Sequence, residues 1–145
     1  MQIQLRIATQ EDIDFAFRVE RETMEAHAIA TWGTWRKDEA RAQCVANILA
    51  GLTQVIEWNS TPVGVVRVER TDSSIELHQI YILSEFQRSG IGRHVLHRLM
   101  READAEQRPI RLRVLKVNPA VHFYERLGFV RAGSDATHVY MVYVR

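Results

Sequence analysis

The chain holds one cysteine, Cys44, in 145 residues, which excludes an internal disulfide and a cysteine-based zinc site. No apolar run approaches the roughly 20 residues that a membrane-crossing helix needs. Residues 1–9 alternate polar and apolar side chains and lack the apolar stretch of a secretion signal, so a cytoplasmic protein is the expectation. Lysine is scarce: of 19 basic residues only Lys37 and Lys116 are lysines, and the rest are arginines. No run of five or more Lys or Arg occurs, and the net charge is +1, which is not the footprint of a nucleic-acid binder. Internal repeats, low-complexity stretches and Pro/Gly-rich linkers are all missing, so residues 1–145 read as one domain.

What is present is ordinary globular composition, 46% hydrophobic and 26% charged, in a length that suits a single core without staples. Ile3, Leu5 and Ile7 alternate with polar residues as in a half-buried strand. Thr9 reads as a helix N-cap, with Glu11 and Asp12 in the first turn, where acidic groups suit the dipole. Ile13, Ala16, Phe17 and Met24 carry that helix to about His27. Trp32-Gly33-Thr34 reads as a loop, with Thr34 capping a second helix to about Leu49 and Gly51 following it. Strands are expected at 53–58 and 63–69, joined by Asn59-Ser60-Thr61-Pro62, and at 75–83. A helix then opens at Gln87–Gly92 with an apolar face of Ile91, Val95, Leu96, Leu99, Met100 and Ala103, and Pro109 stops it. Ile110, Leu112, Val114 and Val117 suggest another strand. Asn118-Pro119 reads as an N-cap plus a first-turn proline for a short helix ending at Gly128. Strands at 129–132 and 138–144 complete a βααβββαβαββ order, an α/β (α+β) domain.

The chemistry concentrates in residues 76–129. A strand, the segment Gln87-Arg88-Ser89-Gly90-Ile91-Gly92, a helix and a second strand form a βαβ unit, whose two strands should run parallel. Glycines allow close backbone approach, and unpartnered amides at a helix N-terminus favour an anion. A phosphate site at about residues 88–93 follows. Neither Gly-x-x-x-x-Gly-Lys-Ser/Thr nor Gly-x-Gly-x-x-Gly is present, so neither an ATP/GTP P-loop nor a Rossmann site is supported.

The spacing Gln-x-x-Gly-x-Gly resembles the Gln/Arg-x-x-Gly-x-Gly/Ala signature of the GNAT superfamily of N-acetyltransferases. Asn118 followed by Phe123-Tyr124-Glu125 and Gly128-Phe129 resembles that family's second signature. One departure is Ser84, where many members have proline. The resemblance implies a central mixed, twisted sheet of about seven strands flanked by four helices. It implies acetyl-CoA as co-substrate and no metal. By the same resemblance, the loop Gln87, Arg88, Gly90, Gly92 and Arg93 holds the pyrophosphate, and the backbone of Ile80 and Ile82 holds the pantetheine arm. Asn118 maps onto a pantetheine contact, and reads equally as a plain N-cap; Arg88 and Arg93 read equally as solubilising residues.

The resemblance places Tyr124 as the general acid that protonates the departing thiolate. A phenol near pKa 10 facing a thiol near 8.5 makes that transfer uphill by only about 2 kcal/mol. Removing the amine proton at pH 7 costs about 4.6 kcal/mol for a lysine-like amine and about 1 kcal/mol for an α-amine. Glu76, at the position of the catalytic glutamate of histone-acetylating relatives, and His78, two residues on along the strand, are the candidate bases, directly or through water. Both also read as ordinary sheet-edge polar residues. His94 and His97 have no carboxylate or cysteine to complete a metal site. Met24, His27, Trp32 and Trp35 fall where relatives choose the acceptor, a small-molecule, amino-acid, peptide or protein amine, and a homodimer is a further candidate partner. The competing expectations are transfer of a longer acyl group and a non-catalytic CoA-binding or sensing module.

Overall fold

A computed structural model describes residues 2–145. Its elements are β1 (Ile3–Ile7), α1 (Ile13–Trp32), α2 (Lys37–Leu49), β2 (Thr53–Trp58), β3 (Thr61–Arg70), β4 (Ile75–Ile82), α3 (Ile91–Glu106), β5 (Ile110–Leu115), α4 (Ala120–Leu127), β6 (Val130–Ser134) and β7 (His138–Tyr143). The seven strands form one sheet in the order β1-β2-β3-β4-β5-β7-β6. Only the β4–β5 pair is parallel, as a βαβ crossover requires; all others are antiparallel.

Alternation along the strands divides the core between the two faces. Ile56, Val66, Ile75, Leu77, Ile110, Leu112 and Met141 pack on one side against Ile91, Val95, Leu96 and Leu99 of α3 and Val121 and Tyr124 of α4. Val55, Val65 and Leu83 pack on the other against Ala16 and Val19 of α1 and Ile48 of α2. The second face is covered only over β2–β4. Beyond it, Arg111 and Arg113 of β5, Tyr140 of β7 and the whole of β6 are exposed.

Several boundaries differ from the expectations. A 3-10 turn at Gln10–Asp12 precedes α1, and Asp12 Oδ2 accepts the Thr9 amide at 2.8 Å while pairing with Arg6. With no breaker before Gly33, α1 continues past His27 to Trp32. Thr34 does not cap α2, which starts at Lys37 after Arg36. The β2–β3 connection is a two-residue turn, Asn59-Ser60, both at positive φ, so Thr61 and Pro62 belong to β3. Val117 is not in β5, which stops at Leu115; it lies in the turn before Asn118 and is exposed.

Two local features shape the middle of the sheet. Gly64 sits where β3 presses on β4, and a Cβ there would lie 2.3 Å from the Tyr81 carbonyl oxygen. The β3–β4 register shifts between Arg67 and Val68: Arg67 faces Gln79 but Val68 faces Leu77, leaving His78 as the extra residue of a bulge.

Candidate active site

β4 and β5 are paired only at Ile75–Ile110 and Glu76–Arg111. Past that point they separate, and a cleft of about 790 Å³ opens between them. The β4 edge facing it has free backbone groups. The Leu83 amide donates to Val63 on β3, so the register places Tyr81 and Gln79 in the hydrogen-bonded pairs with β3. The intervening Ile80 and Ile82 therefore turn their N–H and C=O groups toward the β5 side, where no strand answers them. Gln87 folds back so that its Nε2 donates to the Ile82 carbonyl at 2.9 Å, which ties the loop to the strand end.

The loop itself is pinned by Ser89, whose hydroxyl donates to the Phe86 carbonyl. Arg88 and Gly90 take positive φ, +63° and +87°, and Gly90 is the N-cap of α3. That left-handed conformation costs a side-chain-bearing residue about 1–2 kcal/mol, which glycine avoids. The first intrahelical bond outside the loop is His94 N–H to the Gly90 carbonyl, 3.0 Å. The amides of residues 88–93 donate to no acceptor among the described residues, and they converge at the positive end of the α3 dipole. Arg88, Arg93 and Arg126 also line the cleft.

From the opposite wall comes α4. Asn118 Oδ1 accepts the Ala120 amide at 2.9 Å, so Asn118 does cap the helix while also lining the cleft. Tyr124 is buried, its ring edge-on to Phe123 and Phe129 with centroids 5.5 Å apart. Its hydroxyl, which has no hydrogen-bond partner among the described residues, belongs to a residue lining the cleft. Burial pushes this phenol above its ordinary value of 10, so it stays protonated across the neutral range.

The candidate bases are placed differently from one another. His78 Nε2 lies 3.0 Å from Glu69 Oε1. In the tautomer whose Nε2 donates to this carboxylate, Nδ1 is the acceptor. His78 lines the main cleft and also an adjoining hollow of about 610 Å³ on the open sheet face. Glu76 lines the hollow and not the cleft, and its buried Oε2 has no partner among the described residues. Met24 and His27 of α1 line the cleft. Trp32 and Trp35 do not. Trp32, at the end of the longer helix, is exposed and rests on His138, and Trp35 stacks on Phe17 at 5.6 Å.

Other residues enter that the sequence reasoning passed over. Arg67 stands in the apolar run of β3 and lines both cavities, its buried Nε unpartnered. Glu20 lies on the α1 stripe that holds Ala16 and Thr23. Burial raises its pKa, against the bond from Gln79 at 3.4 Å and the charge of Arg67. A charged residue inside an apolar period was the available signal for both. Tyr81 lines the cleft too, its phenol pushed above 10 by burial and by the Glu20 charge. No group of three or more His, Cys, Asp or Glu among the described residues could hold a metal ion, and no described helix is long and apolar enough to cross a membrane.

The parallel pair thus splays beside a glycine-bearing helix start, and the Tyr124 side chain lines the same cleft. Residues 20–144 match the acetyltransferase (GNAT) domain family, and the chain belongs to that family of acetyl-CoA-dependent N-acetyltransferases. The fold is shared along the full length by solved structures of low identity. The PaiA N-acetyltransferase from Thermoplasma acidophilum, crystallised with coenzyme A, is 19% identical at a TM-score of 0.77, with 100% of both chains covered. An acetyltransferase from Thermus thermophilus is 18% identical at a TM-score of 0.79, with 100% of this chain and 98% of that one covered. The ribosomal-protein-S18-alanine N-acetyltransferase from Escherichia coli is 17% identical at 0.69, with 99% and 94% covered.

Proposed function

We propose that this chain moves an acetyl group from acetyl-CoA to a primary amine by direct attack within a ternary complex. The observation that carries the reading is the run of free amides at 88–93 set beside the unpaired edge of β4. The amides and Arg88, Arg93 and Arg126 suit a pyrophosphate, and the N–H and C=O groups of Ile80 and the N–H of Ile82 suit the amides of a pantetheine arm, the Ile82 carbonyl being taken by Gln87. An N–H from this edge polarises the thioester carbonyl, a backbone device that is often the largest single catalytic contribution. Asn118 keeps its Nδ2 available for the same arm while Oδ1 caps α4.

Proton traffic follows from the walls. His78, oriented by Glu69, takes the proton of the attacking amine, directly or through water; Glu76 sits beside it in the adjoining hollow. As the C–S bond breaks, the Tyr124 hydroxyl gives its proton to the leaving thiolate. Burial raises the pKa of that phenol, so the hydroxyl holds its proton until the thiolate forms. Direct transfer is favoured over a cysteine acyl-enzyme because Cys44 lies on α2 outside the cleft, its thiol pushed up to about 11 by burial.

Release of free thiol from acetyl-CoA, followed with a panel of amines, tests the reading. Amine-dependent release with a stoichiometric N-acetyl product is expected. Release without an amine product, or a strong preference for a longer acyl-CoA, overturns it.

A further inference from the structure

We infer that the acceptor is an amine that also carries carboxylate, held beside the transfer site by Arg67, Arg111 and Arg113. The inference rests on the transferase reading above and names its substrate class.

The hollow on the open sheet face adjoins the cleft; Arg67, His78 and Arg113 line both. Three guanidinium groups line it against one carboxylate, that of Glu76. None of the three arginines is in an ion pair among the described residues, Arg67 meeting the buried Glu20 carboxylate only through longer-range charge and Arg113 meeting the Tyr140 hydroxyl, whereas Arg6, Arg41, Arg70, Arg108 and Arg131 are all paired. Arg67 is the most telling. It rises from a strand whose preceding residues Val63–Val66 are buried, and its Nε is buried with no acceptor among the described residues. An unsatisfied charged donor of this kind is costly, and an incoming anion removes the cost.

The spacing also suits carboxylate. Arg111 and Arg113 are two apart on β5 and so share a face, with Cα atoms about 7 Å apart. Guanidinium binds carboxylate through two parallel hydrogen bonds, which a lysine cannot copy. Arg111 is the register partner of Glu76, so a positive and a negative group stand side by side. Glu76 Oε2 is itself buried and unpartnered. A substrate bearing both an ammonium and a carboxylate answers the two vacancies together. A polyamine or a lysine-rich tail answers only Glu76 and meets three like charges. The shared chemistry has two sources: a free amino acid, of which a dicarboxylic one fits the charge count best, and the N-terminus of an acidic peptide.

The experiment measures thiol release by the acetyl-CoA-loaded protein with matched acceptors. Aspartate and glutamate are compared with their diamides, an Asp/Glu-rich peptide with a Lys-rich peptide of equal length, and spermidine is added. A calorimetric titration of acetyl-CoA runs beside each. The expected result is a kcat/KM about tenfold or more higher for the carboxylate member of a pair, carried by KM. The free amino acids leading assigns that source; the acidic peptide leading assigns the other. In the Arg111→Gln/Arg113→Gln double variant the preference should collapse, and Arg111→Lys/Arg113→Lys should restore it only in part. Diamides, spermidine or the Lys-rich peptide matching or exceeding the carboxylate acceptors overturns the inference and leaves the transferase reading standing. So does persistence of the preference in the double glutamine variant. Acetyl-CoA bound with neither turnover nor saturable binding of any carboxylate amine overturns it as well. No binding of acetyl-CoA overturns both.

Discussion

Tyr124→Phe isolates the proposed acid with little structural disturbance. The Tyr124 ring is held by edge-on contacts with Phe123 and Phe129, which phenylalanine keeps. The hydroxyl bonds to nothing among the described residues, so its removal strands no partner, and stability should change by less than about 0.5 kcal/mol. Catalysis should respond differently. Losing a positioned general acid costs about 100- to 10,000-fold in rate, equivalent to about 2.7–5.5 kcal/mol of barrier. The phenol's raised pKa keeps it protonated throughout the neutral range, so the wild-type rate should show no loss of the acid below about pH 10. The assay is thiol release at saturating amine, with acetyl-CoA affinity measured by calorimetry on the same preparation. The expected outcome is a fall in kcat with acetyl-CoA binding retained. Turnover within about threefold of wild type would remove Tyr124 as the acid and refute the reasoning.

Three further outcomes are expected. His78→Gln should lower kcat about 100-fold or more with acetyl-CoA binding kept, whereas Glu76→Gln should lower it less; wild-type turnover in His78→Gln would point to another base. Gly64→Ala should destabilise the fold by about 2 kcal/mol or more in chemical denaturation, because the new methyl meets the Tyr81 carbonyl oxygen, which is backbone and cannot swing aside. Asp12 is held below the ordinary carboxylate value by its bonds from Arg6, so its stabilisation is full above about pH 4 and is lost as pH falls through its lowered folded value. Asp12→Asn should therefore flatten the decline of stability over that acid range; equal slopes for the two proteins would contradict the assignment.

The elements with strong local signals were legible in the sequence. The strand at Thr53–Trp58 and the α3 face of Ile91, Val95, Leu96, Leu99 and Ala103 follow directly from apolar periodicity. The Gly90 loop and the Asn118 cap were legible for the same reason, since each is a local backbone requirement. What escaped depends on distant partners. The His78 bulge is a property of β3–β4 register, which no single segment encodes. It is also what lets Ile80 and Ile82 face the β5 gap while Leu77 stays in the core. The tryptophans beside Gly33 suggested a pocket. The extra helical turn to Trp32 instead carries that ring onto His138, and Trp35 goes to Phe17. Glu76 shares a strand with His78, yet it lies deeper, opposite Arg111 and short of the point where the strands part.

The central claim is that the amides of residues 88–93 and the open β4 edge hold acetyl-CoA. Isothermal titration of acetyl-CoA into the protein tests it most directly. Saturable one-to-one binding, competed by free CoA and weakened in a Gly90→Val variant that still unfolds cooperatively, is the predicted result. Absence of binding by folded wild-type protein would contradict the account.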